Sequence, residues 1–214
     1  MLQGGFWLCS TRKLYTDSGS GTPVFGKAVK KGSGENRAEG VVNVHAVKRM
    51  YPCEPVGVEF INEAPYRVVN RIDLPILSSQ LFDVLTDVDA WPRWFPVITR
   101  AEWIGDAPRG VGSTRTVVMR GDVVATEQFL AWKPHSQLVF RFNECSNPNV
   151  RASAEEYRIE QTDKGCRLTW TMAQDPVGAS RLLTALVRWF MNRNYRKALT
   201  ELRRYTAQRF GTVI

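Results

Sequence analysis

Four segments in the middle of the chain each place one charged side chain among apolar residues on the same face of a predicted strand. The charged residues are Arg115, Glu127, Glu144 and Glu155. Alternation with a period of 2 puts them beside these neighbours: Val117 and Met119 with Arg115; Phe129 and Ala131 with Glu127; Leu138, Phe140 and Phe142 with Glu144; Tyr157 and Ile159 with Glu155. Carboxylates and a guanidinium on such faces could orient a polar ligand or move protons.

Two interpretations of these charges remain open. In the first, Arg115, Glu127 and Glu155 form a polar cluster inside a hydrophobic cavity, because a buried charge is tolerable only when it is paired or hydrated. In the second, they lie at strand ends or sheet edges with their charges in water. Glu144 favours the second interpretation, because it is close to the turn that begins with Asn147.

The cysteines and histidines do not form a recognisable metal or nucleophile site. Cys9, Cys53, Cys145 and Cys166 include no CxxC pair, and there are only two histidines. Zinc sites need clustered Cys and His at characteristic spacings, so we expect four reduced thiols, no metal and no cofactor. His135 lies in a predicted turn, which does not support a Ser-His-Asp or Cys-His catalytic arrangement.

Length and composition are those of one ordinary globular domain. The 214 residues are 43% hydrophobic and 23% charged, which excludes a fully disordered chain and a disulfide-rich toxin. No run approaches the ~20 apolar residues of a transmembrane helix. The first residues lack the basic region of a secretory signal. We therefore expect no transmembrane segment and a cytoplasmic location.

The net charge of +8 is unevenly distributed. Residues 1–50 carry +5, residues 178–210 carry +7, and the stretch between them carries −4. Such basic segments are either solvated surfaces or binding surfaces for an anionic partner. The basic residues of the last predicted helix fall in several sectors, and no row of aromatic residues interleaves with them. We therefore expect no specific nucleic-acid binding.

Residues 1–52 are predicted to be a disordered, glycine-rich basic extension, and residues 53–212 a single domain. Eight of the 16 glycines lie in residues 1–50, and this segment has no sustained helical or strand period. It cannot bury enough apolar area to offset the entropy of ordering it.

The rest of the chain predicts a strand, two short helices, six strands and a long helix. Residues 68–74 alternate as a strand; Ser78 is the predicted cap of the first helix, and Asp89 that of the second. The later strands are predicted at 98–104, 112–120, 123–132, 137–144, 151–161 and 166–174, between turns rich in Gly, Pro, Asn and Asp. The long helix follows Gly178, with one face formed by Leu183, Leu186, Val187, Phe190, Asn194, Ala198 and Leu202.

This order of elements resembles the START-like helix-grip (SRPBCC) superfamily, and within it the polyketide cyclase/dehydrase and lipid-transport group. The motifs that carry the resemblance are VDAWPRW at 88–94, GVGSTRTV at 110–117, FLAWKP at 129–134, FRFNE at 140–144, GCRLTWTMA at 165–173 and the closing long helix. They are similar to those of actinobacterial members and cover about residues 65–210. These motifs are fairly specific for the fold but give almost no information about the ligand.

The resemblance implies an α+β helix-grip fold, in which a curved seven-stranded antiparallel sheet wraps around the C-terminal helix and encloses an elongated apolar cavity. The strand and helix periods then assign the cavity wall to Trp94, Phe95, Arg115, Val117, Met119, Glu127, Phe129, Phe140, Phe142, Glu155, Tyr157, Trp170, Leu183, Leu186, Val187, Phe190 and Asn194. The short second helix lies at the cavity mouth in this fold, so Trp94 and Phe95 are candidates for a gate. The alternative for the tryptophans is ordinary core packing.

We therefore expect a protein that binds or carries a hydrophobic small molecule, such as a lipid or a polyketide, as a monomer or weak homodimer. The alternative is an enzyme that cyclises a polyketide by holding it in a shaped cavity beside a few acid–base groups. A third class is a protein-interaction module, as in some bacterial toxin–antitoxin pairs. No paired acid and base stands at a diagnostic spacing, so the sequence does not decide whether the protein is an enzyme.

Overall fold

The computed structural model describes residues 48–178 and 181–212, with only the backbone described for residues 181–188. The elements follow in this order: β1 (Tyr51–Pro52), α1 (Phe60–Glu63), β2 (Tyr66–Leu74), α2 (Ser78–Thr86), α3 (Trp91–Trp94), β3 (Ile98–Ile104), β4 (Thr114–Met119), β5 (Val123–Lys133), β6 (Gln137–Cys145), β7 (Val150–Thr162), β8 (Gly165–Pro176) and α4 (Arg181–Phe210). The predicted N-terminal extension lies outside the described residues as far as residue 47.

Seven strands form one antiparallel sheet in the order β2-β8-β7-β6-β5-β4-β3, and β1 pairs with β6. The strands from β3 to β8 are consecutive in the chain and adjacent in the sheet, as short hairpin turns allow. The turn between β4 and β5 places Gly121 at φ 80° and Asp122 at φ 59°. Glycine and aspartate tolerate this left-handed backbone better than most residues. The predicted α+β architecture is confirmed, including its run of six strands and its long final helix.

The two predicted helix caps are wrong. The helix α2 begins at Ser78, and the side chain of Gln80 accepts the Leu77 N–H at 2.9 Å. Ser78 is therefore the first helical residue and not the cap, and its own N–H donates to Oε1 of Gln161 at 2.9 Å. The helix α3 has Ala90 at its N-cap, because Asp89 still belongs to the preceding turn.

The long helix α4 packs against β2 and against α3. The residues that it buries among its described side chains include Met191, Tyr195, Ala198, Leu199 and Leu202. Their spacings of 3 and 4 residues place them on one face, as in any helix that lies on a sheet. This face and the inward-facing residues of the strands together form the main core.

The segment before β2 covers part of the opposite, outer face of the sheet. Its helix α1 is anchored by Ile61, which is 3% exposed. Ile61 lies in a cluster with the outward-facing residues Val139, Ala154 and Ala173 of three adjacent strands. Neither β1 nor α1 was predicted, because both are too short for their periodicity to show in the sequence.

Replacing Ile61 with alanine is expected to destabilise the domain by about 2–4 kcal/mol, because it removes a buried side chain from the contact between α1 and the sheet. Val58→Ala is the matched control, since Val58 is 49% exposed. It should change the free energy of unfolding by less than about 0.5 kcal/mol. Urea titration followed by tryptophan fluorescence measures both. Equal midpoints for Ile61→Ala and the wild type would show that α1 does not stabilise the domain.

Candidate functional site

Arg115 and Glu127 form an ion pair in the interior of the protein. They lie directly opposite each other on the adjacent strands β4 and β5. The Nε–H of Arg115 donates to Oε2 of Glu127 at 2.5 Å, and the two residues are 0% and 3% exposed. A charge this deeply buried is tolerated only beside an opposite charge. Their charges therefore lie inside the protein and not in water at a strand end.

Three aromatic rings surround the guanidinium of Arg115. Its Cζ lies 3.9 Å from the ring centre of Trp91, 4.5 Å from that of Phe140 and 5.0 Å from that of Phe129. The indole of Trp91 is held by its own N–H, which donates to the Leu85 carbonyl at 3.0 Å. Aromatic faces attract cations, most strongly where water is excluded. The rings therefore offset part of the cost of desolvating Arg115.

Glu155 is a second buried carboxylate, on β7 opposite Phe140. The Nε1–H of Trp170 donates to its Oε2 at 2.7 Å, and the hydroxyl of Tyr195 on α4 donates to its Oε1 at 2.9 Å. Burial, together with the nearby charge of Glu127, raises the pKa of Glu155 to about 7. This carboxyl is therefore partly protonated near neutral pH.

The same burial acts on the neighbouring ionisable groups. It raises the pKa of Glu127, although the guanidinium of Arg115 opposes that rise. It also raises the pKa of Tyr157 and that of Tyr195 well above the usual value, and the charge of Glu155 adds to both shifts. Both phenols therefore remain protonated: the hydroxyl of Tyr195 donates to Glu155, and that of Tyr157 is available as a donor. We call Arg115, Glu127, Glu155, Tyr157 and Tyr195 the buried polar cluster.

Several buried donors in and beside this cluster have no hydrogen-bond partner among the described residues. They are Nη1 and Nη2 of Arg115, Nε1 of Trp94 and the hydroxyl of Tyr157. Each belongs to a side chain next to Trp91, whose ring centre lies 5.3 Å from that of Trp94 and 6.2 Å from that of Tyr157. An unsatisfied buried donor costs roughly 1–3 kcal/mol. The site therefore has a surplus of donors and attracts groups that accept hydrogen bonds.

The strand and α3 residues assigned to the cavity wall from the sequence are all buried. They are Trp94, Phe95, Arg115, Val117, Met119, Glu127, Phe129, Phe140, Phe142, Glu155, Tyr157 and Trp170. On α4, Phe190 and Asn194 are half-buried and flank the buried face. The predicted positions Leu183, Leu186 and Val187 have side chains outside the described residues. The structure thus brings together the strand and α3 parts of the predicted wall.

A β-bulge interrupts the alternation that was predicted for β5. The pairing with β6 shifts between Phe129 and Ala131, so that Ala131 lies opposite Val139 and packs against the outer cluster under α1. Ala131 therefore does not share a face with Phe129, which corrects the sequence-based assignment. Glu144 is half-buried, and its carboxylate accepts a hydrogen bond from Thr126 at 3.5 Å, outside the buried polar cluster.

Two contributors to the site were missed from the sequence. Tyr195 was not placed on the inner face of α4, although its signal was present in the run Met191, Tyr195, Ala198 and Leu202, at spacings of 4, 3 and 4 residues. Trp91 was interpreted as a packing residue. Its role against Arg115 has no signature in the sequence, because it depends on how α3 meets the sheet.

A surface groove of about 430 Å³ lies between the α2–α3 turn and the end of α4. It is lined by Asp87, Asp89, Ala90, Arg93, Tyr205, Gln208 and Arg209. Arg209 donates to Asp87 at 3.0 Å within this groove. Six of its seven lining residues are polar or charged, and none is a large aliphatic residue, so this groove is a poor candidate for an apolar ligand.

The described residues show no metal site of the usual kind. Within residues 48–178 and 181–212, no three His, Cys, Asp or Glu side chains are grouped to hold a metal ion. Cys53, Cys145 and Cys166 are free and buried. Burial raises the pKa of each thiol, to about 11 for Cys53 and Cys166. In the same part of the chain, no helix has the length and apolarity needed to cross a membrane.

Comparison with known proteins gives matches at three levels. A family model for polyketide cyclase / dehydrase and lipid transport proteins matches residues 66–207. An uncharacterized protein of Mycobacterium tuberculosis is 50% identical over 162 residues, which is 76% of this chain and 97% of that protein. A START superfamily structure from Mycobacterium smegmatis matches with a TM-score of 0.58 at 11% identity, over 67% of this chain and 98% of the other. A di-domain ARO/CYC structure from the steffimycin biosynthetic pathway matches with a TM-score of 0.58 at 12% identity, over 72% of this chain and 55% of the other.

The two solved structures establish the fold. The family match begins at the first residue of β2 and ends in the last turn of α4, so that it contains the whole buried polar cluster. The chain therefore belongs to the polyketide cyclase/dehydrase and lipid transport family and has the START-like helix-grip fold.

Proposed function

We propose that this protein binds a hydrophobic small molecule that carries oxygen acceptors, in the interior between the sheet and α4. One observation carries the proposal: the buried donors of Arg115, Trp94 and Tyr157 have no partner among the described residues. A bound molecule that accepts their hydrogen bonds offsets the cost of leaving them unsatisfied. Ketone, ester and hydroxyl oxygens are suitable acceptors.

The surroundings of these donors suit the apolar part of such a molecule. Two buried residues, Val117 and Met119, lie on β4 with Arg115. A third, Phe142, lies on β6 directly opposite Glu127 of β5. Each Å² of apolar surface removed from water contributes about 25 cal/mol to binding. We assign the wall to the residues predicted from the sequence.

We further assign the gate to Trp94 and Phe95. The centres of these two rings lie 5.7 Å apart in a stacked arrangement at the C-terminal end of the short helix α3, which packs against α4. A small movement of α3 would displace both rings together, because they are consecutive in the chain. Such paired aromatic residues can close an apolar site against water.

The hydrogen bonds favour binding over catalysis. Both oxygens of Glu155 already accept bonds, from Trp170 and from Tyr195, and Glu127 is bonded to Arg115. A general base must reach the proton that it removes with an available oxygen. Three of these four carboxylate oxygens already accept a hydrogen bond, whereas the four buried donor groups of Arg115, Trp94 and Tyr157 have no partner among the described residues. The interior is therefore better equipped to hold an oxygen atom than to abstract a proton.

Native mass spectrometry of the full chain from its own host tests the proposal directly. We expect the protein to retain a hydrophobic, oxygen-containing molecule, which solvent extraction then identifies. Protein that is consistently free of ligand, and that takes up none from a total lipid extract of that host, would contradict the proposal.

Tyr157→Phe should weaken ligand binding without weakening the fold. The lost hydroxyl has no hydrogen-bond partner among the described residues, so the free energy of unfolding should stay the same or rise. Loss of one hydrogen bond to the ligand should lower its affinity about tenfold. The bound fraction in native mass spectra measures this effect. Tyr205→Phe, in the surface groove, is the matched control and should leave the bound fraction unchanged. Equal bound fractions for Tyr157→Phe and the wild type would remove Tyr157 from the ligand site.

A second candidate function, polyketide cyclisation, is favoured by one observation. The pKa of Glu155 is raised to about 7, where a carboxyl group can both take up and release a proton at neutral pH. The donors of Arg115 and Tyr157 would then stabilise the enolate oxygen that forms when a base removes a proton beside a ketone.

Incubation with linear polyketones separates the two functions. If the protein only binds its ligand, the polyketones should be recovered unchanged. Chromatography of the reaction mixture detects any cyclised product. Glu155→Gln should then alter only the amount bound, whereas Glu127→Gln should also lower the free energy of unfolding, because it leaves the buried guanidinium of Arg115 without its ion-pair partner. Cyclised product that forms with the wild type and disappears in a folded Glu155→Gln variant would contradict the binding proposal and support the enzyme.

The contribution of Glu155 to the stability of the wild type should fall as the pH rises from about 4.5 to about 7. In this range the folded protein keeps the proton of Glu155, whereas the unfolded chain, with an ordinary pKa near 4.5, has released it. Below this pH range, Glu155 is protonated in both the folded and the unfolded protein. Above it, Glu155 is ionised in both, and the folded protein has to bury the negative charge. Glu155→Gln removes this dependence, so the stability of the wild type relative to the variant should drop by up to about 3 kcal/mol. Urea unfolding at both ends of the range measures the drop. A constant difference would show that the folded protein does not raise the pKa of Glu155.

A further inference from the structure

The helix α4 carries an exposed face that contains one tryptophan and several basic residues. We define the basic face of α4 as Trp189, Arg193, Arg196, Lys197, Arg203 and Arg204, all of which are exposed. Their spacings of 3, 4 and 7 residues return to the same side of a helix with 3.6 residues per turn. Arg209 lies outside this face, beside Asp87, so the described basic residues of α4 occupy more than one sector, and the basic face contains most but not all of them.

Much of the charge on this face is not neutralised within the described part of the chain. Arg204 pairs with Glu201 at 2.9 Å, but Arg193, Arg196 and Lys197 have no carboxylate partner among the described residues. The stretch between residues 50 and 178 carries a net charge of −4. The positive charge of the domain is therefore concentrated on α4, and the partner that complements it is anionic.

Trp189 adds a second, independent feature to this face. It is 62% exposed, the largest exposed aromatic side chain among the described residues. Indole rings with an apolar body and a polar N–H are favoured at the level of lipid head groups, where basic side chains also contact phosphates. The face from Trp189 to Arg204 is about 22 Å long, so one flat surface can contact all of it.

We propose that the basic face of α4 docks on the surface of an anionic lipid bilayer. Trp189 enters the head-group region, and the arginines and Lys197 contact lipid phosphates without crossing the hydrocarbon layer. This proposal does not depend on the ligand-binding proposal, because it uses only side chains outside the buried polar cluster.

A bilayer fits this face better than a nucleic acid does. Proteins that hold single strands stack successive bases on a series of aromatic side chains, but the basic face of α4 has one ring at one end. A bilayer requires no such series, since a single indole anchors a helix whose other contacts are electrostatic. At low salt, exposed charges of this kind attract both anionic bilayers and nucleic acids, so the experiment includes both.

The test is co-sedimentation of the full chain with phosphatidylcholine vesicles, with and without about one third phosphatidylglycerol. We expect binding only to the anionic vesicles. The triple variant Arg193→Gln, Arg196→Gln and Lys197→Gln should weaken it at least about tenfold. The matched control removes three exposed cations elsewhere, as Arg100→Gln, Lys133→Gln and Lys164→Gln, and should weaken it much less. Because residues 1–50 also carry +5, the readout is the difference between the two triple variants.

Trp189→Ala provides the second measurement. The wild type should show a blue shift of its tryptophan fluorescence on anionic vesicles, and this variant should lose most of that shift, since the other described tryptophans are more buried. Equal binding to neutral and anionic vesicles, or equal losses in both triple variants, would overturn the proposal. So would tighter binding to a duplex or a single-stranded oligonucleotide than to anionic vesicles at about 150 mM salt, which would assign the face to nucleic acid.

Discussion

The ion pair between Arg115 and Glu127 is the interaction on which the rest of the interior depends. A guanidinium at 0% exposure would be prohibitive without its carboxylate partner and the aromatic rings around it. Because the two residues are cross-strand neighbours, a slip of one residue in either strand would turn one charge outward and leave the other unpaired. The pair therefore fixes the register of β4 on β5 as well as the polarity of the site.

The same pair explains why α3 is part of the site. Trp91 lies 3.9 Å from the guanidinium, and its N–H is bonded to the end of α2 through the Leu85 carbonyl. The rings of Trp94 and Tyr157 then pack around Trp91. The contact with Arg115 on β4 thus helps to hold α3, in addition to the packing of α3 against β3 and α4. A change at Arg115 would consequently disturb both the cluster and the proposed gate.

The inner residues of the strands could be predicted from the sequence because strand geometry is local. A period of 2 is enough to place Arg115, Glu127 and Glu155 on inner faces. The prediction failed where geometry is not local, at the bulge that turns Ala131 outward. On α4 it missed Tyr195, which lies on the inner face that the half-buried Asn194 flanks. A bulge has no fixed sequence signature, and the orientation of a long helix about its axis depends on what it packs against.

The charge state of the interior also limits which acceptor it can hold. Arg115 and Glu127 cancel each other, so Glu155 is the group whose protonation can change, and its pKa is already raised to about 7. A carboxylate or phosphate placed against the free guanidinium nitrogens would add a second negative charge close to Glu155 and raise its pKa further. Such an anion would therefore bind together with a proton, and its affinity would fall as the pH rises above neutral. A neutral ketone or ester satisfies the same donors with no change in charge, so its binding would vary much less with pH. The interior consequently discriminates between charged and uncharged oxygen acceptors through Glu155, a residue whose own oxygens are already bonded to Trp170 and Tyr195.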